Sequence, residues 1–249
     1  PGWQSTGAVT AVLLAEMGYT GDTTVLDNPE RGFAYIAGYP NWFPDELTEE
    51  LGTTWIYNQK LHYKPYPCCG AFHSVLDCFC KIIEEHDLVP EEIESVKVLG
   101  AGSMSKEMSS ISSAQFNMQY NMAVAAHRIT RGVEWVDPET MSNPNILGFM
   151  EKVSGQPHPD AGKEMERDPR TRLGKADVTA RGKTFSHQIQ YRQGDTFTDG
   201  AWTEKEIVDK FRHNAARILT KQKTEKAVET ILNLEKTANI SELMGHVTL

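Results

Sequence analysis

Apolar residues recur in distinct rhythms along the chain, and each rhythm predicts an element. Thr6 to Met17 is dense in Ala, Val and Leu and is followed by Gly18, a natural left-handed terminator, so it predicts a buried helix ending at Gly18. Thr53 to Tyr63 is rich in β-branched and aromatic residues and predicts a strand. Val75, Leu76, Phe79, Cys80, Ile82, Ile83 and Leu88 recur at helical spacing, which predicts an amphipathic helix from Ser74 to about Leu88. In Ile93 to Leu99, Val96 and Val98 alternate with Ser95 and Lys97, the period of a half-exposed strand. Together these runs form a β-turn-α-β unit.

Further along, Ser113 reads as the N-cap of a helix over Ala114 to Arg128, with Phe116, Tyr120, Ala123, Val124 and His127 close to one face. Asp137-Pro138 and Asn143-Pro144 each open a helix, the second running through Val153. Gly155 to Arg172 is charged and contains prolines, so it reads as a loop, with a flexible excursion as the alternative and His158 exposed within it. Lys175 to Ala180 and Lys183 to Tyr191 are strand-like runs joined by the hairpin signal Arg181-Gly182. Thr203-x-x-Glu206 is a capping box that starts a helix to about Leu219, Thr224 to Leu234 is another amphipathic helix, and Ile240 to Met244 forms a last turn. Near the start, Tyr19 to Asp22 is a turn, a short helix is expected around Arg31 to Ile36, and the polar, proline-bearing Gly38 to Leu51 suits a linker.

Chemistry collects where the predicted strand meets the helix, in Lys64-Pro65-Tyr66-Pro67-Cys68-Cys69-Gly70-Ala71-Phe72-His73. The two prolines fix φ and remove backbone donors, forcing an extended crossing before the helix begins. Lys64 stands at the strand end and His73 beside a helix start, where unpaired N–H groups and the macrodipole favour an anion. An ammonium, an imidazole and a helix N-terminus make a carboxylate site. The same residues read equally well as a surface lysine, two buried thiols and a histidine capping a helix. Gly100 to Ser105 lacks the spacing and closing lysine of a phosphate loop and reads as a loop near the site.

Composition narrows the classes. At 249 residues the chain can bury a large core as one large or two modest domains. With 39% hydrophobic and 24% charged residues it is a soluble globular type, and its net charge of −9 argues against a nucleic-acid surface. No apolar run reaches membrane-spanning length and no signal peptide opens the chain, whose first residue, Pro1, points to a fragment, a processed chain or an incomplete record. The cysteines are Cys68, Cys69, Cys78 and Cys80. Adjacent thiols chelate one tetrahedral ion poorly, and thiols two apart on a helix diverge, so a zinc site fits badly. Free thiols imply a reducing, cytoplasmic setting.

Lys64-Pro65-Tyr66-Pro67-Cys68-Cys69 with the helix-opening His73, then Ser113-Ala114-Gln115-Phe116-Asn117-Met118-Gln119-Tyr120, then a helical Lys210-Phe211, resembles the MmgE/PrpD family. The resemblance runs over nearly all of the chain but covers only the second half of the family's usual length. It implies an α+β fold, a small-sheet lid-type domain flanked by helices from both chain ends that belong to an all-helical domain. On that reading residues 1–38 are a remnant of the helical domain, 39–52 a linker, 53–200 the α+β domain and 201–249 helices packing back on the helical domain. It further implies a lyase, with dehydration or hydration expected first, epimerisation or isomerisation second and decarboxylation third. The substrate would be a small di- or tricarboxylate, attacked by proton removal next to a carboxylate without metal or organic cofactor. Lys64 would anchor a carboxylate, His73 would serve as a second cation or hydrogen-bond donor, and Tyr120 would donate a hydrogen bond or relay a proton. Cys69 and Gln115 would line the substrate pocket. Gly70 departs from the family pattern, since many relatives carry a larger, often basic residue there. Full-length members begin with a helical region that supplies an acidic residue and histidines, so the expected partner is a helical N-terminal half as a separate or cleaved chain, in a homo- or hetero-oligomer. A non-catalytic module that binds a small acid or a partner is the alternative.

Overall fold

The computed structural model describes residues 2–26, 28, 30, 32–33, 45, 48–55, 61–100 and 108–248. The chain divides into two compact units, residues 1–56 and 57–249. The helix expected at 31–36 and the linker at 38–51 fall largely, and the loop at 101–105 wholly, outside the described residues.

In the first unit, helix α1 (Gly2–Glu16) ends as expected: Gly18 sits at φ 88, with Gly18 N–H donating to the Ala15 carbonyl and Tyr19 N–H to that of Leu14. The expected burial is not found, because no residue of α1 is buried and Trp3 is 87% exposed. Its apolar residues are spread around the helix rather than gathered into a stripe, so no single face can be covered by its own short unit.

The second unit is built on a four-stranded sheet in the order β2-β1-β3-β4, giving the α+β class. β1 (Ile93–Gly100) lies centrally, parallel to β2 (Val153–Pro157) and antiparallel to β3 (Gly174–Ala180), which pairs antiparallel with β4 (Lys183–Ile189). β3 alternates buried and half-buried positions throughout, because one face lies under helix α2 (His73–Glu85). α2 drives Val75, Leu76, Phe79, Ile82 and Ile83 into the core, as its spacing predicts. The hairpin turns on Arg181 (φ 53) and Gly182 (φ 68), both left-handed, as a two-residue connection between twisted strands requires.

Several expectations are corrected. Among the described residues of Thr53 to Tyr63 no strand is found: Thr53 closes a turn on Glu50, 56–60 lie outside the described residues, and an isolated bridge joins His62 to Asp195. β-branched composition cannot make a strand without a neighbouring ladder. The single helix expected from Ala114 is two, α3 (Ile111–Gln115) and α4 (Met118–Ala126), capped by Ser110 and by Asn117, whose side chain accepts from Tyr120 N–H. Ser113 instead answers Ser110 in a reciprocal cap, and Phe116 at the break is 63% exposed. α5 (Pro138–Met141) and α6 (Pro144–Met150) follow, the latter ending before Val153 enters β2. The supposed loop 155–172 contributes to β2 and to α7 (Ala161–Arg167). Its His158 is buried, with its N–H donating to the Gly100 carbonyl at the end of β1.

α8 (Glu204–Ala215) starts at the Thr203–Glu206 capping box, and α9 (Lys221–Leu232) and α10 (Ser241–Val247) complete the chain. Polar bridges hold α8 to the sheet unit: His213 and Arg217 reach Glu134, and Arg217 forks onto Asp137. No helix among the described residues is long and apolar enough to cross a membrane.

Candidate functional site

The turn ahead of α2 is held from behind by the loop that follows β4. Tyr63 N–H donates to the Gly194 carbonyl at 2.9 Å, and Thr196 binds the Leu61 carbonyl through both its N–H and its hydroxyl. Gly194 has φ 90, and a Cβ there would lie 1.9 Å from the Tyr63 carbonyl oxygen, so only glycine permits this approach. The docking carries Arg192 and Asp195 to the turn.

Cations therefore gather at the N-terminal end of α2. Lys64 is an exposed residue whose Nζ donates to the Cys68 carbonyl at 3.3 Å. Lys210 of α8 donates to the Lys64 carbonyl at 2.7 Å, and burial, helped by the Lys64 charge, lowers its pKa. Arg192 donates to the Gly70 carbonyl at 3.0 Å and lies 3.3 Å from Asp195. A Cβ at position 70 would meet an Arg192 terminal nitrogen at 3.3 Å and Lys64 Cε at 4.0 Å, so both cations lie close to this point of the turn.

His73 opens α2 fully buried, with Phe72, not a polar side chain, at the N-cap. Its Nδ1 is 3.3 Å from His62 Nε2, whose Nδ1 lies 3.0 Å from Asp195 Oδ1 as an ion-pair contact rather than an aligned hydrogen bond. Burial would raise the Asp195 carboxyl, but His62 and Arg192 outweigh it and hold it below its ordinary value. Burial, then His62 and Arg192, lowers the His73 pKa to about 3. His73 is therefore neutral near pH 7. Its Nε2 has no hydrogen-bond partner among the described residues. Behind it Tyr66 packs edge-on at 5.3 Å and donates to Asp77 at 2.9 Å, while Gln193 N–H satisfies the other Asp77 oxygen. Burial raises the Asp77 pKa against these donors.

The expected site residues thus separate. Lys64, Cys69, His73 and Gln115 meet around the turn, Cys69 N–H donating to the Gln115 carbonyl at 3.0 Å. Tyr120 is fully buried, its hydroxyl donating to the Trp135 carbonyl, and it reaches the turn through Trp135 and Tyr66, whose rings are 5.8 Å apart. Burial lifts its pKa to about 12. All four thiols are free; Cys78 donates to the Gly174 carbonyl on β3, and burial raises both Cys68 and Cys80. His62, Arg192, Asp195 and Lys210 escaped sequence reasoning as site residues. Only Lys210 had left a signal, as part of the Lys210-Phe211 pair.

Two openings bear on the choice of site. One of about 170 Å³ borders Arg192 and Asp195. The other, about 470 Å³, lies at the C-terminal end of α2 between Glu84, Asp87, Arg128 and Arg131. Size favours the second, yet its guanidiniums already face carboxylates, Arg128 to Asp87 at 2.8 Å and Arg131 to Glu84 at 3.7 Å. At the first, Arg170 and Arg192 face Asp168 and Asp195, and Arg172 has no carboxylate partner among the described residues.

A buried neutral histidine set among cations on a small α+β unit coincides with a family match: the MmgE/PrpD C-terminal domain matches residues 66–236, beginning two residues after Lys64. The chain belongs to the MmgE/PrpD family. It is 23% identical over 249 residues to the cis-aconitate decarboxylase of Mus musculus, covering 94% of this chain and 48% of that protein. It is 20% identical over 260 residues to the cis-aconitate decarboxylase-like protein oryM of Aspergillus oryzae, covering 95% of this chain and 51% of that protein. The chain spans about half the length of the curated relatives it matches.

Proposed function

We propose that this chain forms the carboxylate-holding half of a cofactor-independent lyase that removes a proton next to a carboxylate of a small di- or tricarboxylate and then expels water. The observation that carries the reading is the convergence of Lys64, Lys210 and Arg192 on one turn against Asp195. Such a group fixes a polyanion and stabilises charge developing at the reacting carbon. Lys64, an exposed residue, anchors a carboxylate, and the N–H of neutral His73 serves as a donor. Tyr120 acts through Trp135 and Tyr66 as a positioning residue. The proton-abstracting base is supplied by the helical half of the family's architecture, in the same or another polypeptide.

Decarboxylation is the second reading, favoured by the names of the two relatives. Native mass spectrometry combined with proton–deuterium exchange on citrate, cis-aconitate and aspartate-derived diacids tests both. Exchange beside a carboxylate with loss of water supports dehydration, and carbon dioxide release moves the assignment to decarboxylation. Absence of exchange and of binding in the complete assembly overturns the catalytic reading in favour of a scaffold.

A further inference from the structure

The 170 Å³ cavity is lined by Arg170, Arg172, Arg192 and Asp195 but not by Lys64, and its charge balance is uneven. Arg170 is neutralised by Asp168 through two hydrogen bonds of 2.9 Å. Arg192 shares Asp195 with His62. Arg172 donates from one terminal nitrogen to the Pro169 and Thr171 carbonyls, and no carboxylate among the described residues pairs with it. A guanidinium with only neutral acceptors on one nitrogen keeps the rest of its planar fork available to a carboxylate.

The walls are preorganised. Arg172 N–H donates to the Gln190 carbonyl at 2.9 Å and the Gln190 side chain reaches Thr171, which ties the segment to the base of the hairpin. The other rim is fastened to Leu61 by Thr196. Leu61, Pro169 and Phe197 give the cavity an apolar side. At about 30 Å³ per water molecule, the space admits a carboxylate and a few carbons, not a nucleotide. Arg192 belongs to both places, since it contacts the Gly70 carbonyl beside Lys64 and also lines the cavity.

We propose that this cavity is the specificity pocket of the site: Arg172 takes the far carboxylate of a small polycarboxylate whose reacting end lies at Lys64, and Phe197 and Leu61 receive an alkyl branch beside it. The inference rests on the carboxylate-substrate reading and adds the end of the molecule that is recognised.

Calorimetric titration of the full chain with succinate and with methylsuccinate tests it. Methylsuccinate binds about fourfold tighter, the effect of burying one methyl group. Phe197→Ala erases that preference, and Arg172→Gln weakens both ligands about tenfold, the effect of losing a charge-assisted hydrogen bond. Unfolding midpoints are recorded alongside; if Arg172→Gln unfolds, Arg172→Lys, which keeps the charge without the fork, gives an intermediate loss. Lys64→Gln abolishing binding while the Arg172 and Phe197 variants are silent overturns the pocket and leaves the carboxylate reading standing. An Arg172 effect with Lys64→Gln silent keeps Arg172 as a carboxylate contact but overturns both the Lys64-centred site and the pocket as its far end. Silence of all three variants overturns both.

Discussion

The two ends of helix α2 use the same residue types to opposite ends. At its C-terminus Arg128 donates to the Ile83 and Leu88 carbonyls and to Asp87, and Arg181 donates to the His86 and Asp87 carbonyls and to Glu92. Each guanidinium there is matched by carbonyls at the negative end of the dipole and by an acid, an arrangement that stabilises the helix. At the N-terminus Lys64, Lys210 and Arg192 gather beside a neutral His73; Arg192 contacts Asp195, whereas the two lysines reach only backbone carbonyls, against the dipole rather than with it. Charge is balanced at the C-terminal end and in surplus at the N-terminal end, where the proposed carboxylate would bind.

Substitutions at the two ends should give opposite signatures. Lys64→Gln is expected to lower the exchange rate on a tricarboxylate by about a hundredfold or more, the scale of a lost preorganised charge contact, with little change in unfolding midpoint. An unchanged rate would make the N-terminal cations structural like their counterparts.

The next effect is a pH dependence of stability. His73 has a folded pKa of about 3 against an ordinary value near 6.5, so between these pH values the unfolded chain binds the extra proton. Stability gained from neutral His73 is intact above pH 6.5 and falls as pH drops, by at most about 1.4 kcal/mol per unit. Carboxylates held low, such as Asp195, add loss in the same direction, so the informative quantity is the difference between wild type and His73→Gln in urea titrations at pH 7 and pH 5. The variant should show the shallower decline.

Arg128→Ala should cost about 1 kcal/mol of unfolding free energy by denaturant titration, with exchange unaffected. Smallest is Tyr120→Phe, expected to cost about 1 kcal/mol or less through the lost bond to the Trp135 carbonyl and to leave the exchange rate within a factor of two. A tenfold fall would assign the hydroxyl a direct part in proton transfer.

What could be read in advance follows how local each signal is. The stripe of α2, the alternation of β1, the hairpin at Arg181-Gly182 and the capping box of α8 are written within a few residues and are found as expected. β2 was missed because its ladder lies on β1, with Val153 opposite Val96, and its own five residues include a glycine and a proline. The break between α3 and α4 was missed because Asn117 can sit inside a helix or cap one, and only the structure shows its side chain accepting from Tyr120 N–H. In the site, Lys64 and His73 were legible because one turn carries both. Arg192, Asp195 and Lys210 reach that turn only through tertiary docking, which no periodicity encodes.

The fastening of the loop after β4 also bears on how the molecule assembles in time. Thr196 and Leu61 lie 135 residues apart in sequence, so closing that contact costs more chain entropy than pairing β3 with β4 through their two-residue turn, and the hairpin is expected to form first. The core of α2 and the hairpin can therefore form while the turn at Lys64 is still open. In refolding, recovery of carboxylate binding should trail recovery of the helical circular dichroism signal.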